Sequence, residues 1–298
     1  MEIANLQGTG VALITPFHKY GTIDFTSLGN MVDHVVKGGV DYIVALGTTS
    51  EAATLSEDEK VAVVDFIVDK LEGKTPLVVG LGGNNTQGVE SLLKRIPYQN
   101  VDAVLSVTPY YNKPNQKGLY YHYKVLANAS DMPIIMYNVP GRTSVNMNAE
   151  TIVKLAQEFD SIIGIKEASG DMIQVQKILR DKPDDFLVIS GEDALTYSMI
   201  GAGAAGVISV AANAYPAEYS AMVKAALKKD YDKSLQLNFS LLEFMESIFD
   251  DGNPAGIKSA LSYMGLIKNN LRLPLVKVNV QTANRIKQFI DLYKSPLS

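Results

Sequence analysis

The segment SIIGIKEASGD, residues 161–171, carries most of the information about the fold. An apolar run ends here on Lys166 and is followed by an acidic turn with a glycine, which is typical of a parallel strand buried on both faces. Because side chains alternate along a strand, we expect Gly164 and Lys166 on one face and Ile163 and Ile165 on the other. We also expect Gly164 to leave space below the lysine amine.

A lysine at the end of a buried strand must pair with an anion, reach solvent or give up its proton. Desolvation favours the neutral amine, and a neutral amine is a nucleophile toward carbonyl carbons. A lysine that forms a salt bridge at the rim of a strand would give the same pattern. Residues 161–171 alone therefore leave a catalytic and a structural interpretation of Lys166 open.

Short apolar runs of this kind recur along the chain, each followed by a turn and then a helical pattern. They occupy residues 10–15, 42–47, 76–81, 102–107, 133–138, 162–167, 186–191 and 206–211. Strand–helix alternation predicts a parallel sheet, and roughly eight such units fit a closed (β/α)8 TIM barrel of class α/β. An open doubly wound sheet is the alternative, although it usually has fewer strands.

After residue 228 the apolar runs stop and the spacing becomes helical. We predict a catalytic barrel in residues 1–228 and a small C-terminal α-helical domain in residues 229–298. Asn253 suits the N-cap of a helix, with Pro254 at its first position. Ser56 and Glu59 form a capping-box pattern at the start of an earlier helix.

Composition narrows the class of protein. The chain has 298 residues, 47% hydrophobic residues and a net charge of −5, with scattered basic residues, so a nucleic-acid partner is not favoured. Cysteine is absent and the three histidines lie far apart, which argues against a zinc site. We read no signal peptide, and residues 201–215 are too short to cross a membrane. We expect a cytoplasmic protein without membrane partners.

In such a barrel, the functional residues lie at the carboxyl ends of the strands. GTTSE, residues 47–51, follows the second run, and its small residues and hydroxyls suit a cradle for a carboxylate, although an ordinary turn would look similar. Tyr137 ends the fifth run beside the strand of Lys166 and could relay protons, or lie in the core. Arg142 follows in a loop that suits carboxylate binding, and Tyr111 lies in an aromatic pair typical of interfaces.

Taken together, these segments resemble the dihydrodipicolinate synthases, members of the class I pyruvate-dependent aldolase superfamily. The resemblance covers essentially the whole chain. It rests on GTTSEAATLS (47–56), TPYYNKP (108–114), YNVPGRT (137–143), GIKEASGD (164–171) and SGED (190–193), which stand in the family's order. Each segment is a weak signal alone, and the set is specific.

The resemblance implies a role for each matching residue. Lys166 would form a Schiff base with pyruvate, and Tyr137, Thr48 and Tyr111 would form a hydroxyl relay, with Tyr111 donated by a neighbouring subunit. Thr48 and Thr49 would bind the pyruvate carboxylate, and Arg142 the carboxylate of L-aspartate-4-semialdehyde. Gly191 and the carbonyl of Ile208 would line the pocket of Lys166. The family also implies a homotetramer and no metal or organic cofactor.

The sequence departs from the family pattern at several positions. Ser50 stands where many members have glycine, and a serine resists positive φ, so the carboxylate cradle could differ. Lysine-sensitive members place a glutamate where Gly88 stands and a histidine pair where Glu57 and Lys60 stand. Asn84 and Tyr110 match the lysine site of those members. We therefore predict weak or absent inhibition by lysine.

The sequence leaves two rivals to a condensation of pyruvate with the semialdehyde in lysine (diaminopimelate) biosynthesis. One is another aldolase or lyase of the superfamily, acting on N-acetylneuraminate or a 2-keto-3-deoxy sugar acid. Arg142 argues against it, because the resemblance links this arginine to a carboxylate on the second substrate. The other is a non-catalytic barrel that binds a keto acid, which the combination of Lys166, Tyr137, Thr48 and Tyr111 disfavours.

Overall fold

Eight parallel strands close into a barrel in the computed structural model, which describes residues 6–94 and 100–297. The strands are β1 Gly8–Ala12, β2 Tyr42–Ala45, β3 Leu77–Gly80, β4 Ala103–Val107, β5 Ile134–Asn138, β6 Ile162–Glu167, β7 Leu187–Ser190 and β8 Gly206–Ser209. Each strand pairs with its neighbours in sequence, and β8 pairs with β1. The predicted TIM barrel is confirmed, and the open sheet is excluded.

Helices surround the barrel and continue beyond it. They are α1 Phe25–Lys37, α2 Glu57–Leu71, α3 Thr86–Leu93, α4 Gln116–Ala129, α5 Pro140–Thr143, α6 Ala149–Glu158, α7 Met172–Asp181, α8 Thr196–Ala202, α9 Pro216–Leu227, α10 Tyr231–Ser247, α11 Ala255–Tyr263 and α12 Val280–Leu292. The Ser56–Glu59 capping box is present at the start of α2. No helix in the described ranges is long and apolar enough to cross a membrane.

Side chains fill the barrel interior, as close packing of eight strands requires. One apolar cluster occupies this space and includes Ala12, Tyr42, Val44, Val78, Ala103, Leu105, Ile135, Tyr137, Ile189 and Ile208. Two larger clusters lie outside the strands, where the helices cover them. The space between the strands is therefore a packed core.

A β-bulge corrects the expected pattern of β6. The register between β5 and β6 jumps from Ile134 opposite Ile162 to Ile135 opposite Gly164, so Ile163 is an extra residue. Ile163 consequently packs in the barrel interior, while Ile165 packs outside with the helices. The prediction that these two isoleucines share a face is wrong, because strict alternation fails at a bulge.

Gly164 has a packing role that differs from the expected one. A Cβ at this position would lie 2.7 Å from the carbonyl oxygen of Leu187 on β7. Only glycine permits this approach of two backbones. The glycine thus sets the contact between β6 and β7 rather than marking space below the amine.

The C-terminal helices α10–α12 follow the last barrel helix, α9. Helix α11 begins at Ala255 after Pro254, so the predicted N-cap role of Asn253 is wrong. The side chain of Asn253 instead donates to the hydroxyl of Thr49. The division into domains at residue 228 stays a prediction, and residues 1–5 and 298, which it includes, lie outside the described residues.

Candidate active site

Lys166 lies near the carboxyl end of β6, with 6% of its surface exposed. Its neighbour across the sheet is Tyr137 on β5, at the same register position. The lysine Nζ lies 4.5 Å from the centre of the tyrosine ring. Parallel pairing therefore places an amine beside an aromatic side chain that carries a hydroxyl, as the two segments predicted.

A cavity of about 40 Å³ lies at this end of the barrel. Its walls include most of the residues predicted from sequence to form the site, namely Thr48, Thr49, Tyr137, Arg142, Lys166, Gly191 and Ile208. A neighbouring cavity of about 600 Å³ shares Thr48, Tyr137 and Arg142 and leads outward past Tyr110. The structure thus brings these side chains together, and their individual roles stay predictions.

The turn after β2 is a 3-10 helix over Thr48–Ser50. Ser50 is buried, and its hydroxyl donates to the carbonyl of Gly47 at 2.7 Å. The left-handed backbone conformation falls one residue later, at Glu51, with φ of 58°. Ser50 therefore fits this turn without the positive φ that the sequence raised as a concern.

Gly191 and Glu192 come directly after β7 and form part of the wall of the smaller cavity. A Cβ at Gly191 would lie 3.1 Å from Cε of Lys166 and 2.6 Å from Cβ of Ala168, so a larger residue would press on the lysine. Glu192 lines the same cavity. Burial, together with the charge of Asp193, raises the pKa of the Glu192 carboxyl, although Lys166 and Arg142 oppose this shift.

A buried polar network holds the outer faces of β5 and β6. Glu167 follows Lys166, and Asn138 follows Tyr137; the amide of Asn138 donates to the Glu167 carboxylate at 3.0 Å. Gln174 and the backbone N–H of Ser169 also donate to this carboxylate, at 3.1 and 2.7 Å. The network ties together the two strand ends that carry the amine and the phenol, while burial raises the pKa of Glu167.

Sequence reasoning missed three residues that contact the predicted site: Glu192, Asn253 and Glu167. Asn253 lies far along the chain from the strand ends, and it reaches Thr49 at 2.9 Å because α11 packs over the barrel mouth. Its carbonyl also accepts from Arg142 at 3.4 Å. Glu167, the last residue of β6, and Glu192, which follows β7, were visible as parts of the motifs. The face of the sheet to which each side chain points depends on the geometry of the strand.

Tyr111 lies away from Lys166 within the described chain. Its side chain is 87% exposed, and its backbone has φ of 73°. Neither cavity wall includes Tyr111, whereas its neighbour Tyr110 lines the larger cavity. A role for Tyr111 in the site therefore needs another subunit, and it stays a prediction.

Among the described residues, no group of three or more histidine, cysteine, aspartate or glutamate side chains has the arrangement of a metal site. A cavity at the carboxyl ends of the strands, with the amine of Lys166 in its wall, is the arrangement of a (β/α)8-barrel enzyme.

Comparison with known proteins gives the family. Residues 5–292 match the model of the dihydrodipicolinate synthetase family. A 4-hydroxy-tetrahydrodipicolinate synthase of Parabacteroides distasonis is 50% identical over 290 residues, which is 97% of this chain and 98% of that protein. The chain belongs to the dihydrodipicolinate synthetase family, and it is an enzyme of that family.

Solved structures agree with this assignment. A dihydrodipicolinate synthase of Thermotoga maritima superposes with a TM-score of 0.94 at 37% identity, covering 96% of this chain and 97% of that one. A chloride-inhibited dihydrodipicolinate synthase of Acinetobacter baumannii, solved with pyruvate, has a TM-score of 0.93 at 38% identity over 96% and 98% of the two chains.

Proposed function

We propose that this enzyme is a 4-hydroxy-tetrahydrodipicolinate synthase, which condenses pyruvate with L-aspartate-4-semialdehyde in lysine biosynthesis. The observation that carries the proposal is the position of Lys166, buried in the cavity wall beside Tyr137. Full-length relatives at up to 50% identity support the reaction. Both of these relatives are 4-hydroxy-tetrahydrodipicolinate synthases, which favours this reaction over that of a sialic acid or sugar-acid lyase and over a non-catalytic barrel.

Lys166 begins the proposed reaction as a nucleophile. Its neutral amine adds to the ketone carbon of pyruvate, and loss of water gives a protonated imine. Hydroxyls of Tyr137, Thr48 and Tyr111 carry protons between the adduct and solvent during this dehydration. The turn at Thr48 and Thr49 receives the pyruvate carboxylate, since its hydroxyls and backbone N–H groups are donors.

The iminium ion makes carbon–carbon bond formation possible. It withdraws electrons from the methyl group, which loses a proton to give an enamine. The enamine carbon attacks the aldehyde carbon of the semialdehyde, whose oxygen takes up a proton. The amine of the former semialdehyde then adds to the imine carbon, and the ring closes as Lys166 leaves with a proton.

Arg142 is proposed to orient the second substrate. Its guanidinium lies at the boundary shared by the two cavities, so it can meet a carboxylate that enters from solvent. A planar guanidinium binds a carboxylate with two parallel hydrogen bonds, which fixes direction as well as position. Glu192, in the same wall, supplies a negative group that a protonated substrate amine can approach.

Assembly is part of the proposal. Tyr111 is exposed in one subunit and is assigned to the site of a neighbouring subunit, so the enzyme would act as a homo-oligomer, with a tetramer as the proposed state. The electron sink of the proposed reaction is the iminium ion that the amine of Lys166 forms with pyruvate.

Borohydride trapping tests the central step. Reduction in the presence of pyruvate should attach a pyruvate-derived group to Lys166, identified by mass spectrometry of the peptide. Lys166→Ala should fold and lose most activity, because only the covalent step is removed. A coupled assay with pyruvate and aspartate semialdehyde, run beside cleavage of N-acetylneuraminate, identifies the reaction. Active enzyme with label at another lysine, or with cleavage of sialic acid alone, would overturn the proposal.

A further inference from the structure

A buried ion pair links the C-terminal helices to the turn that carries Thr48 and Thr49. Lys258 of α11 donates to the carboxylate of Glu51, and both side chains have 0% of their surface exposed. Removing two charges from water is costly unless they are paired and hydrogen-bonded. A fully buried pair between residues 207 positions apart therefore needs a reason beyond generic stability.

One further polar contact joins the same two regions, and the other contacts hold the lysine in place. The second oxygen of Glu51 accepts from the backbone N–H of Arg272 at 2.9 Å. Lys258 Nζ also donates to the carbonyl of Asn270 at 3.0 Å and lies 4.2 Å from the centre of the Phe17 ring. The Glu51 carboxylate is thus held from several directions by residues that follow the barrel in sequence.

Glu51 also ends the 3-10 turn that carries Thr48 and Thr49. Its backbone is left-handed, with φ of 58°, a conformation that is uncommon for a residue with a side chain. Its N–H donates to the carbonyl of Thr48 at 3.1 Å, which closes the 3-10 turn, and its carbonyl accepts from the N–H of Thr54 at 2.9 Å. Anchoring the Glu51 side chain therefore fixes the backbone that presents Thr48 and Thr49.

A second contact from the C-terminal segment is made directly to the same turn. The amide of Asn253, two residues before α11, donates to the Thr49 hydroxyl oxygen at 2.9 Å in a buried position. With that oxygen already accepting a hydrogen bond, the Thr49 hydroxyl proton is free to point toward an anion in the cavity. Both ties come from the C-terminal segment, and both act on the two threonines assigned to pyruvate.

We propose that Glu51 and Lys258 are positioning residues for pyruvate: the buried pair uses the C-terminal helices to hold the Thr48–Thr49 turn in its carboxylate-binding shape. This inference rests on the proposed function, because it presumes that the turn receives the pyruvate carboxylate. It also gives the segment after the barrel a part in catalysis. Glu51 and Lys258 do not touch substrate, and they act through the turn.

Paired substitutions separate positioning from stability. Glu51→Gln keeps the shape of the side chain but leaves Lys258 unpaired, and Lys258→Met leaves Glu51 unpaired; both should lower the melting temperature. The double variant Glu51→Gln, Lys258→Met buries no unpaired charge and should regain stability. Leu126→Ala, which makes a cavity in the core under α4, is the control for destabilisation alone.

The kinetic readout is the KM of each substrate. Glu51→Gln and the double variant should raise the KM for pyruvate at least about tenfold, and that for aspartate semialdehyde less than about twofold. Borohydride trapping of Lys166 should need correspondingly more pyruvate. Asn253→Ala should shift pyruvate KM in the same direction, whereas Leu126→Ala should leave it unchanged. If a single variant does not fold, the double variant and Asn253→Ala carry the test.

Several results would overturn the inference. A double variant with wild-type pyruvate KM would show that the pair only stabilises the fold, as would an equal rise in the KM of both substrates. Failure of the proposed function would give a different result. The wild-type enzyme itself would then form no imine with pyruvate at Lys166, whatever the variants do.

Discussion

At the scale of single residues, the site depends on what each side chain meets at the end of its strand. Lys166 and Tyr137 stand side by side because β5 and β6 are in register there. Their outward neighbours Glu167 and Asn138 are hydrogen-bonded to each other on the other side of the sheet. The inner pair is proposed to do chemistry, and the outer pair keeps the two strand ends from moving apart.

Arg142 gives a prediction at this scale. Arg142→Ala should lower kcat/KM for aspartate semialdehyde roughly 10²-fold, since two charge-assisted hydrogen bonds are lost. Arg142→Lys should recover little of this, because an ammonium cannot form the parallel pair. Initial rates at saturating pyruvate provide the measurement. Imine trapping with pyruvate is the control and should be unchanged; an equal loss of pyruvate binding would contradict the assignment.

The sequence predicted which residues meet at the site better than it predicted their surroundings. Lys166, Tyr137, Arg142 and the threonine turn lie at or just after strand ends, and the ends of parallel strands meet, so local pattern and a topology rule predicted that these residues lie together. Their roles come from the family resemblance and stay predictions. Asn253 and Lys258 reach the site through the packing of α11, which no local pattern reports. The bulge at Ile163 was missed for a similar reason, because it is a property of two paired strands.

Between elements, polar contacts fasten the C-terminal segment to the barrel at more than one place. Arg272 donates to the Glu59 carboxylate on α2 at 2.7 Å and to the carbonyls of Gly21 and Thr54. Glu59 also completes the capping box of α2. Glu59 thus caps the start of α2 and joins this helix to a loop more than 200 residues away in sequence.

The Glu59–Arg272 contact gives a stability prediction that depends on pH. Hydrogen bonding to Arg272 lowers the pKa of Glu59 from its ordinary 4.5 to about 2. The contribution of the Glu59 carboxylate to the free energy of unfolding is therefore complete above pH 4.5, and it is lost as the pH falls toward 2. Glu59→Gln keeps the cap but not the charge, and should cost about 0.5–1 kcal/mol for this partly exposed pair.

Thermal unfolding of the wild-type protein and of Glu59→Gln between pH 8 and pH 3 measures the contribution of the Glu59 carboxylate to stability. The melting temperature of Glu59→Gln should be about 1–3 °C below wild type at neutral pH. The difference should stay constant down to about pH 5 and then shrink. Glu243→Gln, at an exposed carboxylate 3.8 Å from Arg285, is the control and should change little. A difference that grows on acidification would contradict the assignment.

At the scale of the whole molecule, the proposed assembly would complete the site. Tyr111 is the predicted site residue that the described chain does not bring to Lys166, and its side chain is mostly exposed. A residue supplied by a neighbour allows complementation between two inactive variants. Lys166→Ala subunits retain Tyr111, and Tyr111→Phe subunits retain Lys166, so a mixed oligomer can contain one intact site.

Subunit mixing tests this directly. Each variant alone should have low activity, and random re-assembly in equal amounts should restore up to about a quarter of wild-type activity, if two subunits share each pair of sites. Mass spectrometry of intact oligomers confirms the mixing. Lys166→Ala mixed with a Lys166→Ala, Tyr111→Phe double variant is the control and should stay inactive. Mixed oligomers without recovered activity would place Tyr111 outside the neighbouring site.

Glu57 and Lys60 give a prediction about feedback by lysine at the proposed subunit interface. Glu57 could have replaced the acidic group missing at Gly88, but its carboxylate accepts from Lys60 at 2.8 Å. Both side chains line the outer part of the larger cavity, near Tyr110. Because Lys60 already pairs with Glu57, this carboxylate is less able to offset the desolvation of the two ammonium groups of lysine.

We therefore expect weak or absent inhibition in initial-rate measurements against lysine concentration at subsaturating pyruvate. Lys60→Ala should increase sensitivity, because it frees the Glu57 carboxylate, and Gly88→Glu should increase it further by restoring an acidic group. Lys74→Ala, which removes an exposed pairing with Glu72, is the matched control and should have no effect. Strong cooperative inhibition of the wild-type enzyme at submillimolar lysine would show that Glu57 binds the ligand despite Lys60.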